Sequence, residues 1–154
     1  MENIDCQQEI AARALRLMPH TDSLLAQIIT GHLLIEERLT ALLVTCARDG
    51  KFLEHARLSF KQRVLLAQAF ALRSDAPHIW RFIDDLNRLR NKLAHNIEPV
   101  DIAVDVDRLV GLIADANKLL PDPVGNTNSR LTLAVSVCCG HLFGLRLVHA
   151  RLGV

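Results

Sequence analysis

The stretch Leu86-Asn87-Arg88-Leu89-Arg90-Asn91-Lys92-Leu93-Ala94-His95-Asn96 departs from the pattern of the rest of the chain in a way that suggests chemistry. Periodicity predicts a helix over about 77–96. On a wheel of about 100° per residue, Ile79, Ile83, Leu86, Leu93, Ala94 and Ile97 share a face, and Arg90 falls in its middle. A buried charge costs several kcal/mol, roughly, unless it is paired, so Arg90 calls for a partner. A polar stripe runs down the flank through Asp84, Asn87, Asn91 and His95, spaced to lie along one side. These residue types offer fixed positive charge for an anion, from arginine, and proton transfer near neutral pH, from histidine. Arg90 and His95 are separated by roughly 140° around the axis. They converge if the helix loosens after Asn91, if Arg90 reaches around, or if two copies of the chain build the site together.

The elements that must position this stretch come earlier. A long helix is expected from Thr21 or Asp22, whose short oxygen side chains suit a cap, to about Arg48, with Asp49-Gly50 as the stop. On its wheel Leu25, Ile29, Leu43 and Ala47 share a face, with Glu36 in the middle. Two opposite charges, Glu36 and Arg90, are thus each set on an apolar face, and the simplest solution is that they face one another. The alternative places Glu36 at a crossing edge in contact with water. His32 precedes Glu36 by one turn and can join the pair; the two suit metal ligation by spacing, but a third ligand is missing from the sequence and no metal or other cofactor is expected.

Arg90-Asn91-Lys92-Leu93-Ala94-His95 resembles the R-x4-6-H motif of HEPN domains, the "higher eukaryotes and prokaryotes nucleotide-binding" superfamily. In that motif an arginine is followed by a polar residue, here Asn91, and then by a histidine. The context agrees: the motif closes a long helix before a proline and follows two helices, over about 28–47 and 59–72. The run Leu58-Ser59-Phe60-Lys61-Gln62-Arg63-Val64-Leu65-Leu66-Ala67 is similar to the middle helix of the mannitol operon repressor family, a divergent relative. The resemblance spans roughly 24–120. It implies a metal-independent endoribonuclease of toxin or defence type, acting as a homodimer, with Arg90, Asn91 and His95 lining the cleft. From the residues themselves, Glu36, His32 and Asn87 are placed to support such a site; Arg88 and Lys92 read first as a solvated face, and could also serve as RNA phosphate contacts, which need only positive charge. The repressor-like relatives imply a different outcome: a regulatory module that works through protein partners. RNA or nucleotide binding without cleavage is a third possibility, weakened by an aromatic content of 4%. For His95 alone, the plainer reading is a surface histidine in a last turn, where the helix dipole favours its cation.

Composition sets the frame. The chain has 154 residues, half of them hydrophobic and 23% charged, which suits one domain with one core. A net charge of +1 makes no case for tight duplex binding, though it leaves room for a local basic groove. P-loop, G-x-G-x-x-G and G-x-S-x-G motifs are absent, which argues against nucleotide hydrolysis, dinucleotide chemistry and serine hydrolysis. Cys6, Cys46, Cys138 and Cys139 form no C-x-x-C pair, and the N-terminus lacks the order of a signal peptide. A cytoplasmic protein with free, mostly buried thiols is expected, with a homodimeric state, RNA and an antitoxin or regulatory protein as candidate partners, and no membrane.

The fold class expected is all-α: a single-domain bundle of about five to six helices over 1–154, with a core at about 21–120 and a C-terminal apolar helix at about 129–152. A first helix spans about 3–18, ended by Pro19. Residues 51–57 read as a loop. Ser59 and Gln62 form a capping-box pattern, and Pro77 suits a helix first turn. Asp101 opens a helix to about Leu120, before Pro121-Asp122-Pro123. The segment 124–128 reads as loop. Residues 131–145 are apolar around nearly the whole circumference, as in a buried helix, although β-branched residues leave a strand possible; this stretch is too short to span a bilayer. Gly140 and Gly144 would allow close helix approach.

Overall fold

The computed structural model describes residues 2–19, 23–70, 76–95, 101–116 and 126–152. Among them every regular element is a helix: α1 (Glu2–Leu17), α2 (Leu24–Cys46), α3 (Lys51–His55), α4 (Phe60–Phe70), α5 (Pro77–His95), α6 (Ile102–Ala116) and α7 (Thr127–Leu152). The count exceeds the expected five or six because α3 forms within the stretch anticipated as a loop. The strand alternative for residues 131–145 is overturned, since they lie inside α7.

Local signals explain most boundaries. Ser59 and Gln62 form the reciprocal box: Ser59 N–H donates to Gln62 Oε1 (2.8 Å) and Gln62 N–H to Ser59 Oγ (3.3 Å). The cap of α2 is Ser23, whose Oγ accepts from Ala26 N–H at 3.3 Å. Thr21 and Asp22, the anticipated caps, lie outside the described residues. Asp101 precedes α6 with a positive φ of 63°, which aspartate tolerates better than most residues, and its carbonyl accepts from Asp105 N–H. Asn126 caps α7 by accepting from Ser129 N–H at 3.0 Å, so that helix starts two residues before the expected Ser129. The anticipated ends at Asn96 and Leu120 lie outside the described residues.

α7 is the hub of the bundle and packs against α1, α2, α5 and α6. At 26 residues it is long and apolar enough to cross a bilayer by length and composition, longer than the stretch 131–145 suggested. In this fold Leu131, Val135, Cys138 and Leu142 fill the core and meet Ile28, Ile35, Leu39 and Leu42 of α2 in one cluster. The close approach is made at Gly31 of α2. A Cβ there would stand 2.8 Å from Val135 Cγ2, so the absence of a side chain sets the α2–α7 separation.

The core face of α2 differs from the expected one. Of the residues expected there Leu43 is buried, but Leu25 and Ile29 are 46% and 44% exposed, and the buried line runs through Ile28, Ile35, Leu39, Leu42 and Leu43. The helix is apolar around most of its circumference, so its wheel has no unique centre from which to choose a face. All four cysteines are free; Cys138 and Cys139 are buried, Cys46 is half-buried and Cys6 exposed.

Candidate functional site

α5 carries the candidate residues, and its burial follows its sequence. Ile79, Trp80, Phe82, Ile83, Leu86, Leu89 and Leu93 turn inward. In the last turns of α5 the buried line narrows to Leu86, Leu89 and Leu93, and Arg90 lies roughly 65° from its centre. Ala94, counted earlier on the buried face, is exposed, and Ile97 lies outside the described residues. Arg90 is therefore exposed rather than buried, and its Nη1 donates to Asn91 Oδ1 at 3.2 Å.

The expected Glu36–Arg90 pair is corrected in the same way. Glu36 is paired with Arg63 of α4: Arg63 Nε stands 3.2 Å from Glu36 Oε1, and Arg63 Nη1 donates to Thr40 Oγ1 at 3.2 Å. Arg63 lies on the neighbouring helix, within the run that resembles the repressor family, and its part in this pair was not anticipated.

The polar stripe does link α5 to its neighbours. Asp84 accepts from Lys61 Nζ of α4 at 2.7 Å. Asn87 Oδ1 lies 3.1 Å from His32 Nε2 of α2. A carbonyl oxygen only accepts, so the Nε2–H tautomer of His32 donates. The imidazole is 6% exposed and stacks on Phe60 of α4, with ring centroids 4.0 Å apart. Burial lowers its pKa below the ordinary 6.5; the Asn87 hydrogen bond and the Glu36 carboxylate oppose the shift, and the Arg90 cation adds to it. His32 is thus a neutral bolt joining α2, α4 and α5. His32, Glu36, Asn87 and Arg90 form one electrostatic neighbourhood. Among the described residues no group of three histidine, cysteine or carboxylate side chains is arranged to hold a metal ion.

His95 ends α5 and is exposed, as is Asn91 one turn before it. A single chain does not bring His95 to Arg90: the helix is continuous between them, so the angular gap of roughly 140° stands. Of the three routes to convergence, loosening after Asn91 is ruled out within α5.

Arg88 and Lys92 lie on the outer face of α5. Arg88 Nη1 stands 2.9 Å from Asp85 Oδ1, and Lys92 Nζ 2.6 Å from Asp105 Oδ2 of α6. They line a hollow of about 380 Å³ between α5 and α6 together with Arg81 and Arg108, two cations that sequence reasoning did not single out. Nothing in the local sequence of α6 signals that Arg108 meets the basic face of α5; helix packing brings them together.

No family model, characterised protein or solved structure matches this chain.

Proposed function

We propose that the protein is a HEPN-like, metal-independent endoribonuclease that works as a homodimer around the C-terminal turns of α5. The observation that carries the reading is the joint exposure of Arg90, Asn91 and His95 at the end of a helix that His32 and Asn87 anchor to the bundle. An accessible proton-transfer group and an accessible guanidinium are what phosphodiester cleavage needs.

The chemistry runs through the RNA 2′-hydroxyl. His95 accepts its proton, the 2′ oxygen attacks phosphorus, and the bond to the 5′ oxygen breaks. A proton returned to that oxygen leaves a 5′-hydroxyl and a 2′,3′-cyclic phosphate. The charge on the pentacoordinate phosphorus is held by Arg90, which offers two parallel N–H donors. Because one helix directs the two side chains apart, the His95 of one protomer works with the Arg90 of its partner. Asn91, already bonded to Arg90, orients the guanidinium. The test is product analysis: purified protein in excess EDTA should cut RNA to fragments bearing 2′,3′-cyclic phosphate and 5′-hydroxyl ends. Fragments with 5′-phosphate ends would overturn this chemistry.

A second reading, a non-catalytic regulatory module of the mannitol operon repressor type, is favoured by one feature: Leu25, Ile29 and Leu33 lie exposed at successive four-residue steps along α2. Such a stripe suits a protein partner. A folded, dimeric protein that leaves RNA intact would decide for it.

A further inference from the structure

The basic hollow between α5 and α6 holds an excess of charge that the fold does not use. Arg81, Arg88, Lys92 and Arg108 line it against Asp85 and Asp105, a surplus of two positive charges on a chain whose net charge is +1. Arg88 and Lys92 are each held by a carboxylate on the surface, where such pairs are weak and yield to a competing anion. Arg81 and Arg108 are exposed and, among the described residues, form no ion pair.

The hollow is also extended. A second one, of about 410 Å³, shares Arg81, Asp85 and Arg88 with the first and is bordered by Trp80. That one opens toward α4, where Gln68 and Asp84 line it; the furrow along the outside of α5 is the basic α5–α6 hollow. Arg81, Arg88 and His95 follow one another at seven-residue steps along the same exposed side, with Lys92 between the last two. From Arg81 to Lys92 the helix rises about 16 Å. A hollow of about 380 Å³ has room for one backbone.

We propose that this furrow binds the phosphate backbone of single-stranded RNA and leads it along α5 to His95. The choice of RNA rests on the ribonuclease reading; the binding of a single phosphodiester backbone rests on the furrow alone. Contacts to phosphate require only positive charge and are independent of sequence. Four such contacts make affinity strongly salt-dependent, with a slope of log K on log salt near −3 for a single strand.

The probe is a fluorescein-labelled oligouridylate of about twelve nucleotides, well within single-strand site sizes, titrated in EDTA at several salt concentrations against His95→Ala protein, which keeps the RNA whole. In that background, Arg81→Ala/Arg108→Ala should weaken binding about tenfold or more and reduce the slope by about 1.4. Arg81→Lys/Arg108→Lys should restore the slope. Arg48→Ala/Arg57→Ala, which removes the same charge from exposed positions outside the furrow, should bind as the parent does. Equal loss in both alanine pairs, no loss in the furrow pair, no binding at all, or equally furrow-dependent binding of duplex RNA would each overturn the proposal. Cleavage by protein with His95 intact is measured alongside. Furrow-dependent binding without cleavage sustains the furrow and defeats the ribonuclease reading; cleavage with binding indifferent to the furrow does the reverse.

Discussion

His32 Nε2 lies 3.1 Å from Asn87 Oδ1, a bond between helices that are distant in sequence and meet at the face of α5 bearing the candidate site. It joins a buried imidazole to a half-buried amide and fixes how α5 sits on α2. Asn87→Ala would leave the imidazole N–H without its partner, at a cost of about 1–3 kcal/mol. Denaturant unfolding should show that loss. Unchanged stability would mean that the hydrogen bond contributes nothing net.

Acid should destabilise the fold through the same histidine. Burial holds the pKa of His32 below its ordinary value of 6.5, and that of His141 is lowered too, by burial and by the nearby His78. The unfolded chain therefore takes up protons before the folded one does. This stability is fully present above about pH 6.5 and is lost as pH falls through the lower folded values. The melting temperature should drop between pH 7.5 and pH 5, and less steeply in His32→Gln than in wild type. A wild-type melting temperature that is flat across this range would contradict the assignment.

Arg63 and Arg90 should separate cleanly in stability measurements. Arg63→Ala removes the partner of Glu36 and the donor to Thr40 in a part-buried setting, and should cost about 1–2 kcal/mol, between an exposed and a buried pair. Arg90→Ala alters an exposed side chain and should stay within about 0.5 kcal/mol of wild type. Cleavage should respond in the reverse order. Equal destabilisation by the two variants would reinstate a structural pairing of Arg90.

Gly31→Ala should test the closeness of α2 and α7. The new methyl would meet Val135 Cγ2 at 2.8 Å, and Val135 is fully buried on a helix where its χ1 is stiff. A loss of about 1–3 kcal/mol is expected, largely recovered by adding Val135→Ala. Absence of recovery would place the strain elsewhere.

All the helices but α3, the capping box of α4 and the course of the polar stripe were legible in the sequence because each rests on local periodicity or on residues three apart. Asn87 does bond across to α2, and Asp84 to α4. The charged pairings were not legible. Glu36 sits on a helix that is apolar nearly all round, so its wheel does not say which neighbour it meets; Arg63 meets it through packing of α4 on α2. Arg90 was misplaced because one face was drawn for the whole of α5, whereas near Arg90 the buried line is set by Leu86, Leu89 and Leu93 and Ala94 is exposed. The furrow was half legible: Arg88 and Lys92 stand in the motif helix, whereas Arg108 joins them from α6, which no spacing rule within either helix reveals.

The central claim is that His95, at the exposed end of α5, transfers the proton in metal-free RNA cleavage. The most direct measurement is the rate of RNA cleavage in excess EDTA by wild type and by His95→Ala, purified side by side and shown to melt alike. The account predicts cleavage by wild type and a loss of at least about a hundredfold in the variant, the scale of general acid–base catalysis. Equal rates, or no cleavage by a folded dimeric wild type, would contradict it.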